Sequence, residues 1–182
     1  MRFTTPWGAT TVRLAVRGDH QLSNAAAALA AAVCAGVPLE AAAEGLAGAT
    51  GSAGRSQRRT SATGLVVLDD AYNANPTSMA AALRALAAMP GGRRVAVLGP
   101  MAELGEEQAA AHRAMGDLAA DLGIEVVAVG TTEYGVAAVA DQEAALDALA
   151  DLGAGDVVLV KASRSAGLDR LVERLCGGTE AA

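Results

Sequence analysis

Four short apolar runs punctuate the last two-thirds of this chain: Leu65–Leu68, Val95–Leu98, Val126–Val129 and Val157–Val160. Each is bounded by glycine or a charged residue and shows no polar alternation, as strands buried on both faces do. The segments between them have helical spacing instead. Pro76–Met89 places Met79, Leu83 and Leu86 on one side and stops at Pro90. Glu106–Leu122 and Gln142–Leu152 read the same way, a shorter helical piece is expected near Glu133–Val139, and Leu168, Leu171, Val172 and Leu175 mark a final helix. Strands that alternate with helices predict an α/β fold: a Rossmann-like, mostly parallel sheet with helices on both faces.

The first third has a different pattern. Thr10–Val16 alternates like a strand, and Gln21–Ala35 and Leu39–Ala47 read as helices, each followed by glycine. The stretch 48–54 is small and polar, with glycine at 48, 51 and 54, and reads as a linker. Residues 1–50 and 51–182 are therefore expected to belong to separate domains, the first a remnant of another α/β domain. Arg55–Thr60 is a candidate flanking strand.

Composition narrows the picture. Of the 182 residues 52% are hydrophobic but only 2% aromatic, so the core must be built from Leu, Val and Ala. The net charge of −6, with no basic run beyond Arg58-Arg59 and Arg93-Arg94, argues against a nucleic-acid surface. No apolar run approaches the ~20 residues of a membrane span. The first residues lack a signal-peptide pattern, and Cys34 and Cys176 sit in helical contexts. Both points predict a cytoplasmic protein with reduced thiols.

The densest chemistry is the run Asp69-Asp70-Ala71-Tyr72-Asn73-Ala74-Asn75-Pro76-Thr77-Ser78-Met79. It leaves a strand and opens a helix, with Asn75 suited to the N-cap and Pro76 to the first helical position. The other strand ends add Gly99-Pro100-Met101, Gly130-Thr131-Thr132 and Lys161-Ala162-Ser163-Arg164. Ligands of open α/β sheets bind outside the carboxyl ends of strands, so this edge is the candidate site. It offers carboxylates, amides, hydroxyls and two cations, a set suited to an anionic or zwitterionic ligand.

A catalytic engine is not visible in the residues themselves. Lys161 is the only lysine, and its neighbours are Val160 and Ala162, so no phosphate loop of the form G-x-x-x-x-G-K-[ST] exists. His20 and His112 are far apart, with no His/Cys cluster to ligate metal. His112 shares a helical face with Met115, Leu118 and Leu122, and reads as either a packed, orienting residue or a ligand contact.

Five segments together resemble the Mur ligases, the ATP-dependent amide-bond formers of peptidoglycan synthesis. They are Gly18-Asp19-His20-Gln21-Leu22-Ser23-Asn24, Gly54-Arg55, the Asp69–Met79 run, Val97–Gly105 with His112, and Gly155–Arg164. The match is nearest to the branch that joins D-alanyl-D-alanine to UDP-N-acetylmuramoyl-tripeptide. Pro100 stands where that branch has an acidic residue, and Ala162 where it has glycine. The resemblance implies that residues 1–50 end a central ATPase domain and 51–182 form the C-terminal Rossmann-like domain. It also implies that the N-terminal and central ligase domains lie outside the sequence, and that the chain alone is inactive. By resemblance Gln21, Asn24, Arg55 and Asp70 bind ATP, Asn73 is catalytic beside the transferred phosphoryl group, and Lys161 and Ser163 hold the dipeptide. Mg²⁺ is implied for the complete enzyme, with its ligands mostly outside this chain. Other readings are a non-catalytic binding or assembly module descended from such a ligase, and a phosphorylation receiver domain built on Asp69, Asp70 and Lys161. The receiver reading lacks an acceptor aspartate after the central strand.

Overall fold

The computed structural model describes residues 1–14, 20–49 and 57–177. The chain separates into two compact units, Met1–Ser52 and Ala53–Ala182.

In the first unit β1 (Arg2–Thr5) and β2 (Gly8–Thr11) form an antiparallel hairpin, followed by α1 (His20–Cys34) and α2 (Leu39–Ala47). Val12, Leu29, Leu39, Ala42 and Ala43 make its small core. The strand expected over Thr10–Val16 is thus the second arm of a hairpin and ends by Thr11; Ala15 and Val16 lie outside the described residues. Pro6 occupies the turn between the two strands, where its fixed φ is an asset.

The second unit begins with β3 (Gln57–Thr60) and β4 (Val66–Asp70), then α3 (Pro76–Ala87) and β5 (Arg94–Leu98). A single 3₁₀ turn, Gly105–Glu107, leads into α4 (Gln108–Asp121), followed by β6 (Glu125–Val129) and β7 (Ala138–Val139). The unit closes with α5 (Gln142–Ala148), β8 (Val157–Lys161) and α6 (Asp169–Leu175). The six strands lie in the order β3-β4-β8-β5-β6-β7. All neighbours are parallel except the edge pair β3–β4. This is the mostly parallel α/β sheet that the apolar runs predict.

Strand periodicity assigns the two faces. Val67, Val158 and Val160 pack with Ala145 and Leu149 beneath α5, and with Leu171 and Val172 of α6. Ala96, Leu98, Val157 and Leu159 pack instead with Met79, Leu83 and Leu86 of α3 and Ala119 of α4. β8 is buried at all five positions, so each of its aliphatic side chains contributes ~2 kcal/mol of apolar burial. The helical piece expected near Glu133–Val139 is instead a turn and the two-residue edge strand β7. Two residues are too few to show a period.

β8 is inserted between β4 and β5, and the helices that follow these three strands leave on different faces. α3 and α4 pack on one side and α6 on the other. Loops that diverge in this way open a crevice at the carboxyl ends of the strands.

Candidate functional site

The first wall of that crevice is the β4–α3 turn. Asn75 caps α3 through a reciprocal capping box: its Oδ1 accepts from the Ser78 amide at 2.8 Å, and Ser78 Oγ accepts from the Asn75 amide at 3.1 Å. With Pro76 at the first helical position, this fixes where the turn ends. Asn73 Oδ1 accepts from the Ala74 amide at 2.9 Å, so the side chain folds back on its own turn.

The consecutive aspartates part company because strand neighbours face opposite ways. Asp69 falls on the α5/α6 face, buried, and accepts from the Ala71 amide at 3.3 Å. Burial pushes its carboxyl above the ordinary aspartate range, against the pull of that amide and of Arg59. Asp70 falls on the α3/α4 face, directly opposite Lys161 in the parallel register. The Lys161 ammonium donates to the Asp70 carboxylate and, at 2.8 Å, to the Asn73 carbonyl. Its side chain is 2% exposed and that of Asp70 is 14% exposed.

Ser163, two residues on, ties the same turn to the loop after β5. Its Oγ accepts from the Ala102 amide at 2.8 Å and lies 3.3 Å from the Ala74 carbonyl oxygen as donor. Its own amide donates to the Pro100 carbonyl at 3.0 Å. Pro100 therefore serves the site through its backbone. Ala162 does not adopt a left-handed φ, so the backbone there suits an alanine. A Cβ on Gly99 would lie 2.7 Å from the Ala162 methyl, so the bareness of Gly99 is what makes room for that methyl.

The β5 loop is gripped from behind as well. His112 is fully buried on α4; its Nε2 accepts from the Met101 amide at 2.8 Å, and its Nδ1 donates to the Gln108 carbonyl at 2.7 Å. An acceptor Nε2 requires the proton on Nδ1, the tautomer that both bonds select. Tyr134 packs edge-on to His112 and donates its hydroxyl to the Gly99 carbonyl at 2.7 Å. Burial raises the phenol well above its usual range, so it stays a donor. Gly116 of α4 is required for this packing, because a Cβ there would overlap the Tyr134 carbonyl oxygen.

Together these loops line a cleft of about 320 Å³ bounded by Asn73, Asn75, Glu103, Leu104, Ser163 and Arg164. Glu103 has φ 66°, the one left-handed non-glycine among the described residues. The Arg164 guanidinium lies over the Tyr72 ring, 5.1 Å from its centroid. Of the residues singled out in the sequence, Asp70, Asn73, Lys161 and Ser163 meet at this edge. Asn24 belongs to α1 of the first unit and is exposed. Gln21 lies on the same helix, with its side chain outside the described residues, as is the whole of Arg55. Sequence reasoning placed Arg164 at the candidate edge without giving it a role, and did not assign Tyr134 or Glu103 a part in the site. Tyr134 did carry one signal, as one of two tyrosines in a nearly aromatic-free chain. Among the described residues no group of three or more His, Cys, Asp or Glu could hold a metal ion, and no helix is long and apolar enough to cross a membrane.

A mostly parallel sheet with a polar, hydrogen-bonded cleft at its carboxyl edge has the architecture of α/β domains that bind ligands at that edge. Residues 54–164 match the family model described as Mur ligase, glutamate ligase domain, and the chain belongs to the Mur ligase family. It is 41% identical over 203 residues to the UDP-N-acetylmuramoyl-tripeptide–D-alanyl-D-alanine ligase of Mycobacterium leprae, covering 93% of this chain and 39% of that protein. It is 39% identical to the Escherichia coli protein of the same name, covering 94% and 40%. Among solved structures, MurF from Acinetobacter baumannii superposes with a TM-score of 0.82 at 35% identity, over 97% of this chain and 41% of that one. MurF ligase from Thermotoga maritima in complex with ADP gives 0.74 at 29% identity, over 97% and 43%. The chain thus spans about two-fifths of the length of these relatives.

Proposed function

We propose that this chain is the C-terminal part of an ATP-dependent ligase that joins D-alanyl-D-alanine to UDP-N-acetylmuramoyl-tripeptide. The supporting observation is the polar cleft at the strand ends, in a chain that is similar along nearly its whole length to ligases of that name. In this reading residues 1–50 end the central ATPase domain and residues 51–182 form the C-terminal domain. The N-terminal and central ligase domains are its partners, and the work is done in the cytoplasm.

The groups at the edge suit such a ligand set. Asp70 is an acceptor for the ribose hydroxyls of ATP. The Asn73 carboxamide has its oxygen engaged by Ala74, so what it offers an anion is its N–H donors, as a phosphoryl group requires. By the family resemblance, not from this edge, Arg55 supplies a charge-assisted donor to the phosphates, and Gln21 and Asn24 on α1 meet the adenine. ATP would supply the activation of the tripeptide carboxylate, and Mg²⁺, with its ligands mostly outside this chain, would screen the phosphates when bound. The role left to these residues is to hold nucleotide and acceptor in register while charge builds. Ser163 lines the half of the cleft that takes the dipeptide, and Lys161 braces that half.

The test is ligation measured with and without the remaining domains. The 182-residue chain alone forms no amide; joined to the sugar-nucleotide and ATPase domains, it forms product and releases phosphate with dependence on both substrates. Asp70→Ala and Arg55→Ala each weaken ATP use by about 1–3 kcal/mol. Ligation by the chain alone, or none by the complete protein, overturns the reading. In the second case binding without turnover would favour the non-catalytic module.

A further inference from the structure

Two cations stand at the carboxyl end of β8, Lys161 as its last residue and Arg164 just beyond, and their surroundings divide the work between them. The Lys161 ammonium is all but sealed from solvent and is held by the Asp70 carboxylate and the Asn73 carbonyl. An ammonium has three donors, and two are spent on these partners. Turning it toward a ligand would break this ion pair and move an ammonium that is only 2% exposed, which protein interiors resist. Arg164 is placed in the opposite way. It is exposed, lines the cleft, and rests its guanidinium over the Tyr72 ring. A ring beneath a guanidinium restrains its plane without using its edge N–H donors, and such a fork can grip a carboxylate through two parallel N–H bonds. The same cleft carries Glu103, in a left-handed conformation that a glutamate adopts only at a cost. A cleft with a guanidinium and a carboxylate among its lining groups complements a zwitterion.

We propose that Arg164 is the residue that holds the C-terminal carboxylate of the acceptor dipeptide, with Glu103 facing its amino end. Lys161 is a positioning residue that acts through the Asp70–Asn73 turn. This inference rests on the ligase reading of the cleft, and it moves the carboxylate contact from the lysine, where the family resemblance puts it, to the arginine.

The test compares two acceptors in the complete ligase: D-alanyl-D-alanine and its C-terminal amide, which lacks the negative charge. The wild type prefers the acid by ~10- to 100-fold in kcat/KM, the value of a charged hydrogen-bonding contact. Arg164→Ala brings the preference close to unity, mostly by raising KM for the acid, and leaves KM for ATP unchanged. Arg164→Lys recovers part of it. Lys161→Arg lowers kcat with both acceptors in the same proportion and keeps the preference for the acid. This is a readout that separates positioning from contact. Full preference in Arg164→Ala, with loss of preference in Lys161→Arg, overturns the assignment. Equal use of acid and amide by the wild type also overturns it while leaving the ligase reading intact. Use of neither acceptor brings down both.

Discussion

At the amino ends of the strands Arg93 reaches Glu125 at 2.9 Å and Asp151 at 2.6 Å, while Asp156 accepts from the Arg93 and Gly153 amides. These ion-pair side chains are 44–68% exposed. At the carboxyl ends Lys161, Ser163, His112 and Tyr134 are all buried, and each bonds to the backbone of a neighbouring loop. The first arrangement is charge resting in water, where attraction and desolvation are both small. The second puts polar groups where an unmet bond is expensive, so each position is fixed within narrow limits. Rigidity is concentrated at the edge with the cleft. The strands need only be held together at one end, but must be placed accurately at the other.

Single substitutions can break this contrast. The largest effect is expected from Lys161→Met, which removes the buried ammonium from beside the Asp70 carboxylate: a loss of about 3 kcal/mol in urea denaturation, partly recovered in Lys161→Met/Asp70→Asn. If the single variant is as stable as the parent, the buried pair does not brace the edge. Tyr134→Phe keeps the ring and deletes the bond to the Gly99 carbonyl; it should cost about 1–2 kcal/mol and speed amide exchange in the β5 loop.

Arg93→Ala removes two ion pairs at the opposite edge, yet should change stability far less than Lys161→Met, and less still in high salt. A loss equal to that of Lys161→Met would erase the distinction between the edges. The smallest effect concerns Asp69, whose raised carboxyl means that the folded state binds its proton more tightly than the unfolded chain. Stability therefore falls as pH rises from the ordinary carboxylate range through the raised value, above which the penalty is complete. Asp69→Asn should raise Tm slightly at pH 7 and leave it unchanged below that range. A fall in Tm at pH 7 would show that Arg59 outweighs burial.

Much of the second unit was legible because its signals are local. Runs such as Val157–Val160 carry no alternation, which only a sheet covered on both faces allows. Asn75-Pro76 marks the start of α3 through capping chemistry that needs no distant partner. β7 and the first arm of the β1–β2 hairpin escaped, the first because two residues have no period and the second because a four-residue arm is fixed by pairing with its partner across the turn. The site divides along the same line. Asp70, Asn73, Lys161 and Ser163 stand at strand ends in the sequence itself, but which of them face each other depends on β8 entering the sheet between β4 and β5.

That insertion joins residues 91 positions apart, Asp70 and Lys161, through a register that no local pattern encodes. It likewise lets Ser163 tie its own loop to those that follow β4 and β5. The sequence by itself determined the elements, the class of fold and the edge that carries the chemistry, because propensity, capping and hydrophobic period act over a few residues. Only the tertiary structure decided that the lone lysine is enclosed while Arg164 faces the cleft. Burial and partner choice are properties of how strands are ordered and paired, and those are settled by packing the whole sheet at once.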